Sequence, residues 1–339
     1  MGSAQDYAAQ MAQLRADLPA RAEALDLVRF ATLAASGHNT QPWRFRLATG
    51  RIELRPDFDR RTPVVDPDDH HLFVSLGCAA ANLELAAQAR GLPGELRFHP
   101  GEPGYLVFDH GPGAVSGSPL FDAIAHRQST RADYDGRAAA PGALQALENA
   151  ARIPGVDLSL VVDTATRRRI GDLVLAGNSA QMADPAFVRE LRQWLRFNPR
   201  QALAAGDGLY SAASDNPTGP AWLAPSLFKL FFKEESENKK YARQLESSAG
   251  LAVFSAQSDG PEHWIQVGRA CQRFALQATA LGMKCAFLNQ PTEVVSLRDE
   301  LAALAGFPGR RPNLLMRFGY GPTLPYSPRR PASSVLATA

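Results

Sequence analysis

The chain is 339 residues long, with 45% apolar and 21% charged side chains, ordinary proportions for a globular protein. Its 36 basic and 34 acidic residues leave +2, which gives no general pull toward nucleic acid or membrane. Cys78, Cys271 and Cys285 lie in apolar stretches without CxxC spacing, against a disulfide framework or cysteine-bound zinc.

Those cysteines read as reduced, buried thiols in a cytoplasmic protein. The opening MGSAQDYAAQMAQLRADL lacks a basic segment followed by an apolar core, so no signal peptide is expected. No apolar run reads as long enough to span a membrane.

In chain order, residues 4–35 read as helix, ending at the polar break SGHNTQPW (36–43). WRFRLATGRIELRPD alternates apolar and polar residues around Thr49-Gly50 and predicts a hairpin. Residues 70–90 predict a helix stopped by Gly91, followed by strands ELRFHP and YLVFDH. GPGAVSGSP (111–119) reads as a linker between units at 1–115 and 120–339.

The second unit predicts helix 141–152, strand VDLSLVV and helices near 165–182 and 184–196. From Phe197 to about Ser248 the pattern degrades around LFKLFF and KEESENKK, which reads as a long irregular lid. Regularity returns with strand LAVFSA, helix 261–281, strand CAFL, helix 293–304 and strand NLLMRFGYG. Strands and helices intermix, so the expected class is α+β.

Residues 77–91 and 268–282 agree at six of fifteen positions, including Gly77/Gly268 and Gly91/Gly282. The match fits either an internal duplication or two unrelated core helices.

Arg127, Ser129 and Arg131 of RQSTR alternate, so an extended backbone would aim all three to one side. Two guanidinium forks around a hydroxyl suit a phosphate; the alternative is a solvated helix end carrying incidental arginines.

SGHNTQPW after an apolar helix, together with RxSxR, resembles the nitroreductase superfamily of FMN enzymes. There both motifs ordinarily lie in one chain, the arginines first, and two chains pair around the flavin. Here the order is reversed, and ARIPGVDL stands where the second loop would be. Each half keeps what the other has discarded. That arrangement resembles the Acg-like branch, with two degenerate nitroreductase-like halves packed as a pseudo-dimer in one chain.

The resemblance implies FMN contacts at Arg127, Gln128, Ser129 and Arg131, and at Ser36 and Asn39 of the loop. It also implies Asn178 and Gln181 at the ring edge, Leu288 beside it, and Asn289 and Gln290 near flavin N5 as the catalytic groups. The tail SPRRPASSVL supplies Arg329, with Arg330 beside it.

DPDDHH (66–71) reads as a turn capped by Asp68 or Asp69, with His70 and His71 diverging, so no metal is expected. His38 is either a proton donor or a hydrogen-bonded structural histidine. No GxSxG elbow or GxGxxG fingerprint occurs.

The function expected is an FMN-dependent oxidoreductase passing hydride from NAD(P)H to a quinone, nitro or similar acceptor, its flavin site complete within a monomer. The rival expectations are a flavin-sequestering protein and a flavin oxidase acting on a specialised metabolite.

Overall fold

The computed structural model describes residues 3–220 and 233–337. In chain order the helices α1 (Ala4–Leu14) and α2 (Ala24–Ala31) lead to the polar loop. The single helix expected over 4–35 is therefore two. Pro19 explains the break: it lacks an N–H and keeps Leu18 from helical geometry.

The hairpin β1 (Trp43–Ala48) and β2 (Arg51–Pro56) turns on Gly50, whose φ of +68° suits glycine. Helix α3 (His70–Ala89) and strands β3 (Gly94–His99) and β4 (Tyr105–His110) complete an antiparallel sheet in the order β1-β2-β4-β3.

The chain then forms α4 (Pro119–Ala123), α5 (Pro141–Ala151), strand β5 (Val156–Val161), α6 (Thr164–Ala183) and α7 (Pro185–Gln193). Within the expected lid lie α8 (Pro199–Ala205) and α9 (Glu234–Glu246), and Leu195–Arg196 pairs with Leu209–Tyr210. The KEESENKK run is thus largely helical, a correction to the irregular reading. Its acidic first turn and Arg243 in the last complement the helix dipole. The LFKLFF stretch lies outside the described residues.

Next come β6 (Gly250–Ala256), α10 (Pro261–Ala280), β7 (Lys284–Phe287), α11 (Gln290–Glu293), α12 (Arg298–Leu304) and β8 (Leu314–Gly319). The helix expected over 293–304 is divided by a short 3₁₀ turn, Val295–Leu297. The second antiparallel sheet runs β5-β6-β8-β7.

The two sheets therefore share one order, strand for strand. Each long helix joins the second strand of its sheet to the third. Each ends on a glycine in left-handed geometry, Gly91 at φ +69° and Gly282 at +72°. Leu92 N–H donates to Ala87 O at 2.9 Å, and Met283 N–H to Ala278 O at 2.8 Å. These pairs carry the same 191-residue offset as the sequence repeat. The fold is α+β, built as two degenerate copies of one unit.

The copies meet where α3 crosses α10. A Cβ at Gly77 would stand 2.0 Å from Ile265 O, and one at Gly268 1.9 Å from Val74 O. The equivalent glycines thus face each other across the contact, and only their missing side chains permit the approach. Helix α3 also corrects the membrane reading: length and composition alone would let it cross a bilayer. Here 89% of its most apolar window is buried in the protein.

Strand β6 is buried on both faces. Ala252 and Phe254 enter the main core, while Leu251 and Val253 enter a smaller one with Ile170, Val174 and Leu315. Two outlying segments extend the sheets. Leu336 bridges to Phe45 on β1, and Ser129 bridges to Cys285 on β7, both in parallel. The tail of the second half thus closes on the first.

Candidate functional site

The polar loop adopts an unusual backbone. His38, Asn39 and Gln41 have φ of 46°, 54° and 54°, in the left-handed region that side chains with a Cβ rarely occupy. Hydrogen bonds hold them there. Ser36 Oγ accepts from Gln41 N–H at 3.1 Å, and Gly37 N–H donates to Ser75 Oγ at 3.3 Å. Asn39 Nδ2 donates to Gly208 O and Pro328 O, both at 3.0 Å, and Gln41 Nε2 donates to Gly206 O at 2.8 Å. The loop therefore pins both the insertion and the C-terminal tail.

Asn39 Oδ1 also accepts from Arg329 Nη1 at 2.8 Å. All polar atoms of its amide are engaged, so its part in the site is to aim Arg329. Arg330 turns away, donating to Gln41 O at 3.3 Å beside Asp57.

The arginine motif runs extended along β7, with Thr130 N–H donating to Cys285 O at 2.9 Å. Gln128 and Thr130 bond each other, and Gln128 is further engaged by Leu324 through both its oxygen and its nitrogen. Arg127 Nη2 donates to Leu33 O at 3.0 Å, and Arg329 Nη2 donates to Leu33 O and Ala34 O. The two separated motifs thus meet within one polypeptide.

Asn39, Arg127, Gln128, Ser129 and Arg329 line a small pocket. Arg15 of the segment after α1, which sequence reasoning missed, joins them. Its guanidinium lies 4.0 Å over the Tyr326 ring. Burial lowers the pKa of Arg15, to about 10, and those of Arg127 and Arg329 as well; the Arg15–Arg329 and Arg15–Arg127 repulsions add to it. Among the described residues no carboxylate pairs with these three cations, and the Nε of each is buried without a partner. Buried, uncompensated guanidiniums are costly, so the pocket is built for an anion.

Ser36, Arg131 and Phe287 border both this pocket and a larger cleft. Asn178 and Gln181 reach the cleft from α6, and Asn289 and Gln290 from the start of α11. Asn178 Nδ2 donates to Asn238 Oδ1 of α9 at 2.8 Å, and Gln181 Nε2 to Glu293 Oε2 at 2.6 Å. Asn289 Oδ1 accepts from Leu315 N–H at 3.0 Å. Gln290 Oε1 is buried with no partner. Leu288 differs from the others: it follows the end of β7, packs in the smaller core and does not line the cleft.

His71 and Glu293 add a charged pair that sequence reasoning did not assign, and His38 stands near them. His71 Nε2 stands 3.4 Å from Glu293 Oε1. Desolvation lowers the His71 pKa, but Glu293 and Asp66 outweigh it and the net shift is upward. Desolvation opposes the Glu293 charge, yet His71, His38 and Gln181 hold its carboxyl below the usual value. Desolvation pushes His38 down to about 4, with Arg131 and His71 adding to it against Glu293. Lys240 and Tyr241 of α9 also line the cleft, with Ser211 and Ser214, so described parts of the insertion contribute to it.

The DPDDHH reading is corrected in two respects. Asp69 holds the N-cap position of α3 without a side-chain cap, and Asp66 accepts from His71 N–H at 2.9 Å and Leu72 N–H at 3.0 Å instead. The His70 and His71 rings do not diverge, their centroids being 4.7 Å apart. With Asp66 they could approach one ion, their ligand atoms lying within 4.8 Å of one another. Protein contacts occupy them instead: both Asp66 oxygens hold backbone amides, and His70 Nε2 meets Asn313 Nδ2 at 3.0 Å.

No family model matches the chain. It is 27% identical over 337 residues to the Mycobacterium tuberculosis protein named "Putative NAD(P)H nitroreductase Rv3131", covering 91% of this chain and 90% of that one. It is 25% identical over 322 residues to "Putative NAD(P)H nitroreductase acg" of the same organism, covering 91% and 93%. Among solved structures, a nitroreductase with bound FMN from Desulfitobacterium hafniense aligns with 63% of this chain and 94% of its own, at 18% identity and a TM-score of 0.39. Similarity along nine-tenths of both chains to the two mycobacterial proteins, with the loop and arginine motifs joined at one site, likens this chain to the Acg-like nitroreductases.

Proposed function

We propose that the protein is an FMN-dependent oxidoreductase that takes electrons from NAD(P)H and passes them to a quinone, nitro compound or similar acceptor. The observation carrying this reading is the cluster of Arg15, Arg127 and Arg329, unpaired with any described carboxylate and opening into a cleft with an unpartnered Gln290 Oε1. That donor set fits FMN: cations for a dianionic phosphate, and amides for the polar edges of a planar ring. When bound, FMN supplies two-electron hydride transfer at its N5. The mycobacterial relatives named as NAD(P)H nitroreductases support the nicotinamide donor.

On this reading Arg127, Arg329 and Ser129 hold the phosphate, Asn39 aims Arg329, and Gln128 fixes the arginine strand. Arg131 and Ser36 stand at the junction of pocket and cleft. Asn178, Gln181, Asn289 and Gln290 orient the ring, and the part-buried His71–Glu293 pair fixes charge at the cleft wall. Helix α9 limits the access of water. Residues 1–115 and 120–339 are then the two halves, and 197–248 is a lid over a site completed within one chain.

The test is anaerobic spectroscopy of purified protein. The expected outcome is a yellow protein bleached by NADPH or NADH and recoloured by a simple benzoquinone. A flavin bleached by dithionite but untouched by either nicotinamide would overturn the NAD(P)H assignment. Protein that neither carries nor takes up FMN would overturn the whole reading.

A further inference from the structure

We infer that Arg15 closes the far end of the anion pocket and makes it selective for a terminal phosphate monoester, coupling occupancy of that pocket to docking of the N-terminal helix. The inference rests on reading the pocket as the cofactor's phosphate site.

Three observations carry it. Arg15 faces the same pocket as Arg127 and Arg329, yet comes from a segment more than a hundred residues from either. It is only 8% exposed, its Nε has no partner, and its one oxygen acceptor among the described residues is Met11 O at 3.3 Å. A flexible cation is normally left in water, so holding this one here beside two others is unfavourable unless an anion compensates.

Behind Arg15 the pocket is walled. Tyr7 and Met11 of α1 pack with Ala202, Tyr210 and Ala213 of the insertion, forming an apolar cluster of their own. Tyr7 Oη donates to Tyr326 O, and the Tyr326 ring lies under the Arg15 guanidinium. Helix α1, insertion and tail therefore converge where a phosphate would end. A monoester terminates there with its charge neutralised. A dinucleotide must continue past its first phosphate, into the wall formed by Arg15, Tyr326 and Tyr7. An anion in the pocket in turn relieves the repulsion that Arg15 meets from Arg127 and Arg329.

The affinity test uses full-length apoprotein, titrated with FMN, riboflavin and FAD by fluorescence quenching. Wild type is expected to prefer FMN to both. Arg15→Ala should lose ten- to a hundredfold in FMN affinity, the range for one charge-assisted bond, with less than threefold change for riboflavin. Arg15→Lys should recover part of the loss. Equal losses for FMN and riboflavin, or no loss for FMN, would overturn the role of Arg15. FAD binding as tight as FMN in wild type would overturn the selectivity.

A second arm needs no flavin. Hydrogen exchange across Ala4–Leu14 is followed with and without inorganic phosphate. Slower exchange with phosphate in wild type, lost in Arg15→Ala, is expected; phosphate-independent exchange would overturn the coupling. If wild type binds no flavin but phosphate still protects α1, the cofactor reading and the monoester selectivity fail together, while the anion coupling stands.

Discussion

Arg127 serves two ends at once, donating to Leu33 O while its side chain borders the anion pocket. Arg127→Ala is therefore expected to weaken FMN binding about ten- to a hundredfold and riboflavin binding much less. Comparative fluorescence titration checks this, and equal losses would mean that the residue only props the loop. His38 gives a pH dependence of definite sign. It binds fewer protons folded than unfolded between about pH 4 and 6.5, and His70, held well below its ordinary value by desolvation, has the same sign. The His38 contribution is present above pH 6.5 and is lost as pH falls toward 4. His71 has the opposite sign: its contribution is full below about 6.5 and is lost as pH rises through its raised value. Glu293 contributes above its unfolded value and loses that as pH falls through its lowered one. The wild-type denaturant midpoint should therefore fall more steeply, or rise less, from pH 7 to pH 5 than that of His38→Asn, which suits left-handed geometry. An unchanged slope would remove His38 from this account, although it is the group faced by Glu293, Arg131 and His71. The sequence showed the motif residues because their types name their chemistry. It hid Arg15, His71 and Glu293, whose relevance comes only from distant segments folding together.

At the level of elements, the crossing of α3 and α10 sets the geometry of both halves. Gly77→Ala or Gly268→Ala must push a methyl into a backbone carbonyl of the partner helix, and each should destabilise by about 1–3 kcal/mol or more. Gly142→Ala, in helix α5 with open space around it, should be neutral or slightly stabilising. Chemical denaturation separates these cases, and similar values at Gly77 and Gly142 would argue against a tight crossing. Both long helices were legible because each combines an apolar body with a terminal glycine. The break between α1 and α2 was also written, in Pro19, but the apolar periodicity around Leu25–Leu33 drew the helix across it. Helix α9 was obscured by its charge. A helix with one buried side chain, Gln244, has little periodic apolar signal, although its Glu-rich start and Arg243 near its end were available to read.

For the molecule as a whole, the two places that the repeat makes equivalent are filled differently among the described residues. The loop at 36–43 meets the arginine strand, whereas Ala150, Ala151 and Ile153 of the opposite region are buried in the main core and Ala150 O accepts from Arg273. One FMN per chain is expected, measured as heat-released flavin against protein; a ratio of two would contradict the division of labour between the halves. The reversed order of the motifs made this organisation readable, while the matching strand orders could emerge only from the pairing of backbones. The joint between the halves has a further consequence, in mass action. A site assembled from two separate chains falls apart on dilution, because its existence depends on an association equilibrium. Here the two contributing segments are tethered by fewer than a hundred residues of ordered chain, so their encounter is unimolecular. Cofactor affinity should then be the same at nanomolar and micromolar protein, and the protein should keep its site when it is scarce.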